Sequence, residues 1–288
     1  MQVSNAQQDS ALTTIALTGA TGFVGRQILR HLVEQGHRVR IIVRTGTVPE
    51  DLGTANLHVI ETDDLFSEPH ERLYQALQGV ETLIHTAWYA EPGQYLTSPI
   101  NIECLTGTLR LAQAFQEAGG RRFVGVGTCA EYDLDAGMLK TTTPLKPNIL
   151  YAACKASVFQ VLSQLLPAAD VEFAWCRLFY LYGEGEDSRR LVPYLRQKLE
   201  AGEPAELTSG NQIRDFLDVR EVGAMIADTA LGQRQGPVNI CSGIPVTVRQ
   251  LAERIADDYG RRDLLRFGAR PDNLFDPPCI VGVREESL

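Results

Sequence analysis

A glycine-rich turn near the start of the chain constrains the fold more than any other feature. Residues 14–25 read TIALTGATGFVG, in which a short apolar run ends at Gly19 and an amphipathic helical pattern begins at Phe23. Gly19 allows a sharp turn, Gly22 lets the backbone approach a pyrophosphate, and Gly25 lets the helix lie close to the strand. The unpaired N–H groups of the helix would face the phosphates. The pattern predicts a dinucleotide-binding turn between a strand and a helix; a tight turn without a binding role is the alternative.

Apolar strand patterns and helical patterns then alternate along the first two thirds of the chain. Strands are predicted at residues 38–43, 57–61, 82–86, 123–126 and 172–178, and helices at residues 23–36, 69–78, 101–118 and 151–166. This rhythm specifies a parallel sheet wound on both faces by helices, an α/β fold of the Rossmann type.

Three regions are expected along the sequence. Residues 1–11 are predicted to form a disordered N-terminal tail, and residues 12–181 to form the dinucleotide-binding domain. Beyond this domain the alternation weakens, with helices predicted at 191–201, 219–231 and 248–259 and short strands at 205–207 and 238–240. We interpret residues 182–288 as a smaller C-terminal substrate-binding lobe, interleaved with the sheet and closing over it.

The ends of the predicted strands carry candidate binding residues, because ligands of such sheets bind at the carboxyl ends of the strands. Arg44 stands where an NAD site has an acidic residue, and an arginine can pair with a 2′-phosphate, so the sequence favours NADP(H) over NAD(H). The alternative is a solvated strand-end residue. Asp64 could meet the adenine edge. His85 has no second histidine nearby and is expected to be a packed structural residue.

The helix predicted at residues 151–166 opens with YAACK, which places Tyr151 and Lys155 one turn apart on the same face. The Lys155 ammonium could lie near the phenol, lower its pKa and reach the cofactor ribose. Such a phenol could exchange a proton with a carbinol oxygen while hydride moves between carbon and a nicotinamide. An ordinary exposed helix bearing a tyrosine and a lysine is the alternative.

Charge and cysteine content narrow the classes of partner. The net charge of −9 is spread along the chain without a basic cluster, so nucleic acid is not an expected partner. The six cysteines contain no C-x-x-C pair, which favours reduced thiols of a cytoplasmic protein without a metal site. No export-signal pattern and no apolar stretch of about eighteen residues is present, so no membrane span is expected.

Several motifs in a fixed order make the chain resemble the extended short-chain dehydrogenase/reductase family, in particular its nucleotide-sugar epimerases, dehydratases and ketoreductases. TGATGFVG matches the family's T-G-x-x-G-x-x-G turn, and YAACK matches its Y-x-x-x-K pair. RLFYLYG at 177–183, QIRDFLDV at 212–219 and the segment from Arg270 to Asp272 are similar to later motifs of the family. The resemblance runs from about residue 14 to residue 270.

This resemblance implies an NAD(P)-dependent oxidoreductase that acts on a nucleotide-diphosphate sugar. The catalytic residues that it implies are Thr128, Tyr151 and Lys155, with Tyr151 as the proton donor. The implied cofactor-binding residues are Gly19, Thr21, Gly22, Phe23, Val24, Gly25, Arg44, Asp64, Leu65, Thr86, Ala87, Tyr151, Lys155 and Phe179. The implied substrate-binding residues are Trp88, Thr128, Arg190, Arg214 and Arg270. Arg214 and Arg270 would clamp a diphosphate; surface charge without a ligand is the alternative for each.

Two departures from the family pattern bear on the reaction. The 4,6-dehydratases of the family carry an acidic pair or a lone Glu directly after the catalytic Thr, and Cys129 and Ala130 stand there in this chain. Dehydration is therefore disfavoured, although Glu131 is only one step further along. The family's helix asparagine aligns with Cys104, while Asn101 lies one turn earlier.

The favoured hypothesis is NADP(H)-dependent 4-ketoreduction of a nucleotide-linked 4-keto-deoxyhexose. A nucleotide-sugar 4-epimerase that retains its cofactor is the closest alternative, and a non-catalytic dinucleotide-sensing protein is an alternative of another class. A hydrolase using Cys129 is disfavoured because no histidine is placed by sequence to activate it. A homodimer is also predicted, since the helices at 101–118 and 151–166 carry apolar residues on more than one face and form a four-helix interface in the family.

Overall fold

Seven parallel strands form the central sheet of the computed structural model, which describes residues 14–47, 57–273 and 276–284. The strands are β1 (Thr14–Thr18), β2 (Arg38–Arg44), β3 (Leu57–Thr62), β4 (Thr82–His85), β5 (Arg122–Thr128), β7 (Glu172–Leu178) and β11 (Gly236–Ile240). Their spatial order is β11-β7-β5-β4-β1-β2-β3. The order reverses beside β1 and β4, which opens a crevice at the carboxyl ends of these strands. The predicted tail, residues 1–11, lies outside the described residues.

Helices cover both faces of this sheet. They are α1 (Phe23–Glu34), α2 (His70–Leu77), α3 (Ile100–Glu117), α4 (Leu150–Leu165) and α6 (Val219–Leu231). Helices α1 and α6 pack together over a core that includes Ile15 and Leu17, whereas α2, α3 and α4 pack over a second core that includes Ala16. Successive residues of β1 thus face opposite sides of the sheet, as a strand buried on both faces requires. The predicted doubly wound α/β fold of the Rossmann type is confirmed.

A smaller lobe is built from short strands. Its larger sheet contains β6 (Met138–Leu139), β8 (Tyr180–Tyr182), β10 (Ile213–Asp218), β12 (Pro245–Thr247) and β14 (Cys279–Gly282), and β9 (Ala205–Leu207) pairs separately with β13 (Leu265–Phe267). Helices α5 (Leu191–Glu200) and α7 (Val248–Asp258) enclose an apolar core of their own. Strands of two to four residues are too short to show a period, which is why most of them could not be predicted.

The chain passes between the two sheets more than once. Helix α6 and strand β11 lie within the predicted lobe, residues 182–288, yet α6 packs on α1 and β11 pairs with β7 in the central sheet. Conversely, β6 precedes residue 182 but pairs with β14 in the lobe. A division at residue 182 therefore describes the sequence, whereas the two sheets share segments from both sides of it.

The remaining expectations concern thiols, metals and membranes. All six cysteines are free, and five of them are buried. Within the described ranges, no helix is long and apolar enough to cross a membrane. The same ranges contain no group of three or more His, Cys, Asp or Glu side chains that could hold a metal ion.

Candidate active site

A cavity of about 790 Å³ opens at the carboxyl ends of the central strands. Parallel strands end at one edge of the sheet, and this brings residues far apart in sequence together. The predicted site residues that line the cavity are Gly19, Thr21, Gly22, Phe23, Val24, Gly25, Arg44, Asp64, Leu65, Thr86, Ala87, Trp88, Thr128, Tyr151, Lys155, Phe179 and Arg190. The volume lies in the usual range of ligand pockets, which is about 300–1,000 Å³.

The glycine turn leaves no room for a side chain at two of its three glycines. Gly19 has a φ of +73°, and a Cβ there would lie 2.6 Å from the Thr86 hydroxyl oxygen. A Cβ at Gly25 would lie 2.0 Å from the Gly19 carbonyl oxygen, because α1 starts directly against the turn. At Gly22 a Cβ would meet only the same carbonyl oxygen, at 3.3 Å, and the position otherwise has open space.

The N-terminus of α1 is free to receive an anion. Gly22 is the N-cap residue and no side chain caps the helix there, so the first-turn N–H groups are not satisfied by a side chain. Backbone N–H groups and the helix dipole together favour a phosphate at such an end. The open position at Gly22 and the uncapped helix fit the pyrophosphate of a dinucleotide cofactor.

The turns after β2 and β3 form another part of the wall. Arg44 ends β2 with an exposed side chain, and the Thr47 hydroxyl donates to the Arg44 carbonyl oxygen at 2.7 Å, which closes the turn. After β3, the Asp64 carboxylate accepts from the Phe66 N–H at 3.1 Å, and Asp63 accepts from the Thr45 hydroxyl at 2.8 Å. Both carboxylates thus hold local turns, while Arg44 brings a cation to this part of the cavity.

Thr128, Tyr151 and Lys155 come together in the cavity, as predicted. Thr128 ends β5, and the other two side chains project from the first turns of α4. The side chains of Thr128 and Tyr151 line the same cavity. Lys155 is almost completely buried, and its ammonium donates to the Val126 carbonyl oxygen at 2.7 Å.

The predicted lowering of the Tyr151 pKa by Lys155 is wrong for this structure. Burial raises the pKa of the phenol well above its ordinary value, and the neighbouring Thr128 side chain offsets this only in part. The Lys155 ammonium instead donates to the Val126 carbonyl oxygen and lies 3.8 Å from the centre of the Trp88 ring. Burial also lowers the pKa of Lys155 to about 7. A spacing of one helical turn places Tyr151 and Lys155 on one face of α4, but it does not determine the direction of the lysine side chain.

Glu131 holds the turn that carries Thr128. Its carboxylate accepts from the Thr128 N–H at 2.8 Å, from the Arg177 Nε at 2.7 Å and from the Trp175 indole N–H at 3.0 Å. Glu131 and Arg177 are both buried, with exposures of 0% and 1%. The position of Glu131 close to Thr128 in the sequence had left dehydration possible. In the structure Glu131 forms a buried ion pair, and it is not part of the cavity wall.

Two aromatic side chains complete the wall around Tyr151: Trp88, which was predicted to line the site, and Tyr95, which the sequence did not single out. The ring of Tyr95 meets that of Tyr151 edge to face at 4.9 Å, and Trp88 does so at 6.3 Å. Asn101 is fully buried and accepts from the Trp88 indole N–H at 2.8 Å, while its own amide donates to the Tyr95 carbonyl oxygen at 2.6 Å. The position of Asn101 one turn before Cys104 was the available signal, but only the fold shows that it supports this wall.

Two predicted substrate residues lie outside the cavity wall. Arg214 is buried, forms an ion pair with Asp276 at 2.6 Å and lies 5.2 Å from the Tyr180 ring centre. Arg270 donates to the Tyr194 hydroxyl at 3.2 Å and lies over that ring. Both belong to the smaller lobe, and the structure engages them with side chains of that lobe. The diphosphate clamp predicted for them is not assembled here.

Two further contacts concern the surroundings of the cavity. His85 is buried and is hydrogen-bonded to the hydroxyls of Thr18 and Thr108 at 2.7 and 2.9 Å, and burial lowers its pKa to about 3. It is the packed residue that was predicted. Arg189 and Glu91 form an ion pair at 3.0 Å that joins the loop after β8 to the loop after β4. Both loops contribute to the cavity wall.

The doubly wound sheet, the glycine cradle and the clustered Thr128, Tyr151 and Lys155 together define the class of Rossmann-type NAD(P)-dependent oxidoreductases. A sequence model of the NAD dependent epimerase/dehydratase family matches residues 15–241. The chain belongs to this family and is an NAD(P)-dependent enzyme of the extended short-chain dehydrogenase/reductase group.

Individual relatives match most of the chain. It is 24% identical to a dTDP-6-deoxy-L-talose 4-dehydrogenase (NAD(+)) of Aggregatibacter actinomycetemcomitans, over 94% of this chain and 99% of the relative. It is 23% identical to a CDP-abequose synthase of Salmonella muenchen, over 91% of this chain and 87% of the relative. The solved structure of a UDP-N-acetylglucosamine 4-epimerase from Methanobrevibacter ruminantium M1 has a TM-score of 0.83 at 22% identity, covering 94% and 89% of the two chains.

Proposed function

We propose that the protein reduces the 4-keto group of a nucleotide-linked deoxyhexose with NADPH. The observation that carries the proposal is the placement of Thr128, Tyr151 and Lys155 in the cavity that also contains the glycine cradle. The bound cofactor would supply hydride to the keto carbon. Burial keeps the Tyr151 phenol protonated at neutral pH, so it can donate a proton to the carbonyl oxygen that Thr128 steadies.

The wall next to Tyr151 supports a deoxysugar as the substrate. The rings of Trp88 and Tyr95 contact that of Tyr151, and Ile100 and Phe179 add further apolar side chains to the cavity lining. Such a wall favours a methyl group over a hydroxymethyl or carboxylate group, because a polar group buried without a partner costs free energy. The name of one relative specifies a 6-deoxysugar linked to dTDP and oxidation at carbon 4, the reverse of the proposed reduction.

Preference for NADPH is proposed from Arg44. Its guanidinium lies at the end of β2, where it can form charge-assisted hydrogen bonds to a 2′-phosphate. In an NAD site an acidic residue at this point would instead bond the ribose hydroxyls.

Dehydration is not proposed. Cys129 and Ala130 follow Thr128, and burial raises the pKa of the Cys129 thiol to about 12, so it remains protonated. Glu131 accepts hydrogen bonds from Arg177 and Trp175 instead of facing the cavity. The described residues that directly follow Thr128 therefore supply no carboxylate to the cavity for the elimination of water.

The 4-epimerase is the second candidate, favoured by the similarity to a solved 4-epimerase. It would use the same Thr128, Tyr151 and Lys155 but would return the hydride to the opposite face of the sugar. A dinucleotide sensor would have no use for the phenol and hydroxyl pair.

Incubation of a panel of nucleotide-linked 4-ketosugars with NADPH or NADH distinguishes the three candidate functions, a reductase, an epimerase and a dinucleotide sensor. A reductase consumes one reduced cofactor per ketosugar, and Tyr151→Phe abolishes the consumption. Interconversion of C4 epimers without net loss of reduced cofactor would replace the proposal by the epimerase. Cofactor binding without either reaction would favour the sensor.

A further inference from the structure

Lys155 is held by contacts that the Tyr-Lys motif does not specify. Its ammonium lies 3.8 Å from the centre of the Trp88 ring and donates one hydrogen bond to the Val126 carbonyl oxygen. The lysine is 2% exposed, so water contributes little to its solvation. An ammonium over an indole face is attracted by the negative face of the ring, and the attraction is largest where both groups are desolvated.

The indole is itself fixed in place. Its N–H donates to Asn101, and the Asn101 amide uses its two donors on the carbonyl oxygens of Tyr95 and Ser98 at 2.6 and 2.8 Å. The ring of Phe66 meets Trp88 edge to face at 6.3 Å. Because Asn101 is fully buried, the indole has little freedom to turn away from the lysine.

We propose that Trp88 is a positioning residue that holds the Lys155 ammonium in the cavity through the face of its indole ring. Trp88 therefore acts on the cation that serves the cofactor, in addition to forming part of the substrate wall. The role of Lys155 in turnover rests on the proposed function, but the contact between the two side chains can be tested without substrate.

The titratable groups around Lys155 allow a clean measurement. Glu131, from the turn after β5, and Cys104, from α3, act to raise the lysine pKa. Burial lowers the pKa of His85 at the end of β4 to about 3, raises that of Cys104 to about 11, and raises that of Tyr151 further. These three groups therefore keep one protonation form between about pH 5 and 9, and Glu131 is held by Arg177.

The chain contains four lysines, Lys140, Lys146, Lys155 and Lys198, so NMR of protein labelled with ¹³C at the lysine ε-carbon resolves them. Lys155→Met assigns the signal. In the wild type, Lys155 should titrate near pH 7. In Trp88→Leu, which keeps an apolar side chain over the amine but removes the ring face, its pKa should fall by about one unit, and in Trp88→Phe by less.

An unchanged pKa in Trp88→Leu would overturn the proposal. A rise toward the ordinary lysine value would do so as well, since it would mean that the indole only excludes water. If Trp88→Leu does not fold, ¹⁹F NMR of the wild type labelled with 5-fluorotryptophan replaces it. The chain contains two tryptophans, and the signal of Trp88 should titrate together with Lys155. In Lys155→Met this signal should lose its pH dependence. A Trp88 signal that does not change with pH in the wild type would contradict the contact.

Measurements of turnover test the role of Trp88 independently of the NMR experiments. With a reducible ketosugar, Trp88→Leu should shift the alkaline limb of kcat to lower pH by the same amount and weaken NADPH binding, whereas a wall residue alone would raise only the KM for the sugar. If only that KM rose, Trp88 would not position the lysine. If no ketosugar is reduced, the proposed function fails while the NMR result still decides the contact.

Discussion

Tyr151 combines a packed ring with a reactive hydroxyl. Tyr151→Phe keeps the ring and its edge contacts to Trp88 and Tyr95 but removes the proton that would pass to the substrate oxygen. Turnover of the ketosugar should fall by about 100-fold or more, the usual worth of a general acid, while NADPH binding is largely retained. The measurement is single-turnover oxidation of NADPH.

Tyr95→Phe is the matched control for this variant, because it removes a neighbouring hydroxyl from the same cavity wall. Its turnover should stay within a few-fold of the wild type. Near-wild-type turnover in Tyr151→Phe would contradict the mechanism.

Arg44 is the residue on which cofactor choice is expected to depend. Arg44→Ala should weaken NADPH binding by about 1–3 kcal/mol, through the loss of a charge-assisted contact, and leave NADH binding nearly unchanged. Isothermal titration with both cofactors measures the difference. Arg38→Ala, at the opposite end of the same strand, removes an exposed arginine outside the cavity and should change neither affinity. Equal affinities of the wild type for NADPH and NADH would contradict the assignment.

At the scale of the element, the turn between β1 and α1 contains one glycine needed mainly for folding, Gly25, and one needed mainly for cofactor binding, Gly22. A Cβ at Gly25 collides with the Gly19 carbonyl oxygen, so Gly25→Ala should lower the free energy of unfolding by about 1–3 kcal/mol or more. Gly22 has space and an ordinary φ of −77°, so Gly22→Ala should fold but weaken cofactor binding about tenfold or more by occupying the phosphate cradle. Urea unfolding and cofactor titration test both; equal stability losses in the two variants would speak against this separation.

The turn after β5 depends on a buried ion pair. Glu131→Gln leaves the Arg177 guanidinium without its anionic partner inside the protein, and the free energy of unfolding should fall by about 3–5 kcal/mol. Turnover should fall too, because the same carboxylate holds the Thr128 N–H. Glu184→Gln, which breaks an exposed pair with Arg30, is the control and should change stability little. A similar loss of stability in both variants would show that burial of the ion pair does not account for the effect of Glu131→Gln.

At the scale of the whole molecule, we propose a homodimer formed through α3 and α4. These helices pack against each other, and each carries an exposed apolar residue, Ile102 on α3 at 52% and Val161 on α4 at 44%. Sedimentation velocity at micromolar concentration should show a dimer, and the double variant Ile102→Glu and Val161→Glu should show a monomer, because charges at an interface must lose their water. Ile244→Glu, at 61% exposure in the other lobe, should remain dimeric. A monomeric wild type would rule the dimer out.

Local patterns in the sequence were sufficient for the central fold. The alternation of strands and helices, the glycine spacing and the YAACK segment are each encoded within about five to eighteen neighbouring residues. They therefore predicted the doubly wound sheet and the cradle around Gly22, whereas the pairing of Thr128 with Tyr151 was implied by the family resemblance. The expectation that residues at several strand ends share one crevice then follows from the rule that ligands bind at the carboxyl ends of parallel strands.

Tertiary structure alone decided how side chains with several possible partners were used. Arg214 could bind a diphosphate or an internal acid, and folding of the smaller lobe brought Asp276 within 2.6 Å of it. Lys155 could face the phenol or the indole, and Asn101, from another helix, fixed the indole beneath its ammonium. Glu131 could have faced the substrate, but Arg177 and Trp175 on β7 hold its carboxylate inside the protein. The backbone pattern of a segment is a local property, whereas the partner of a long charged side chain is chosen by whatever the fold packs around it.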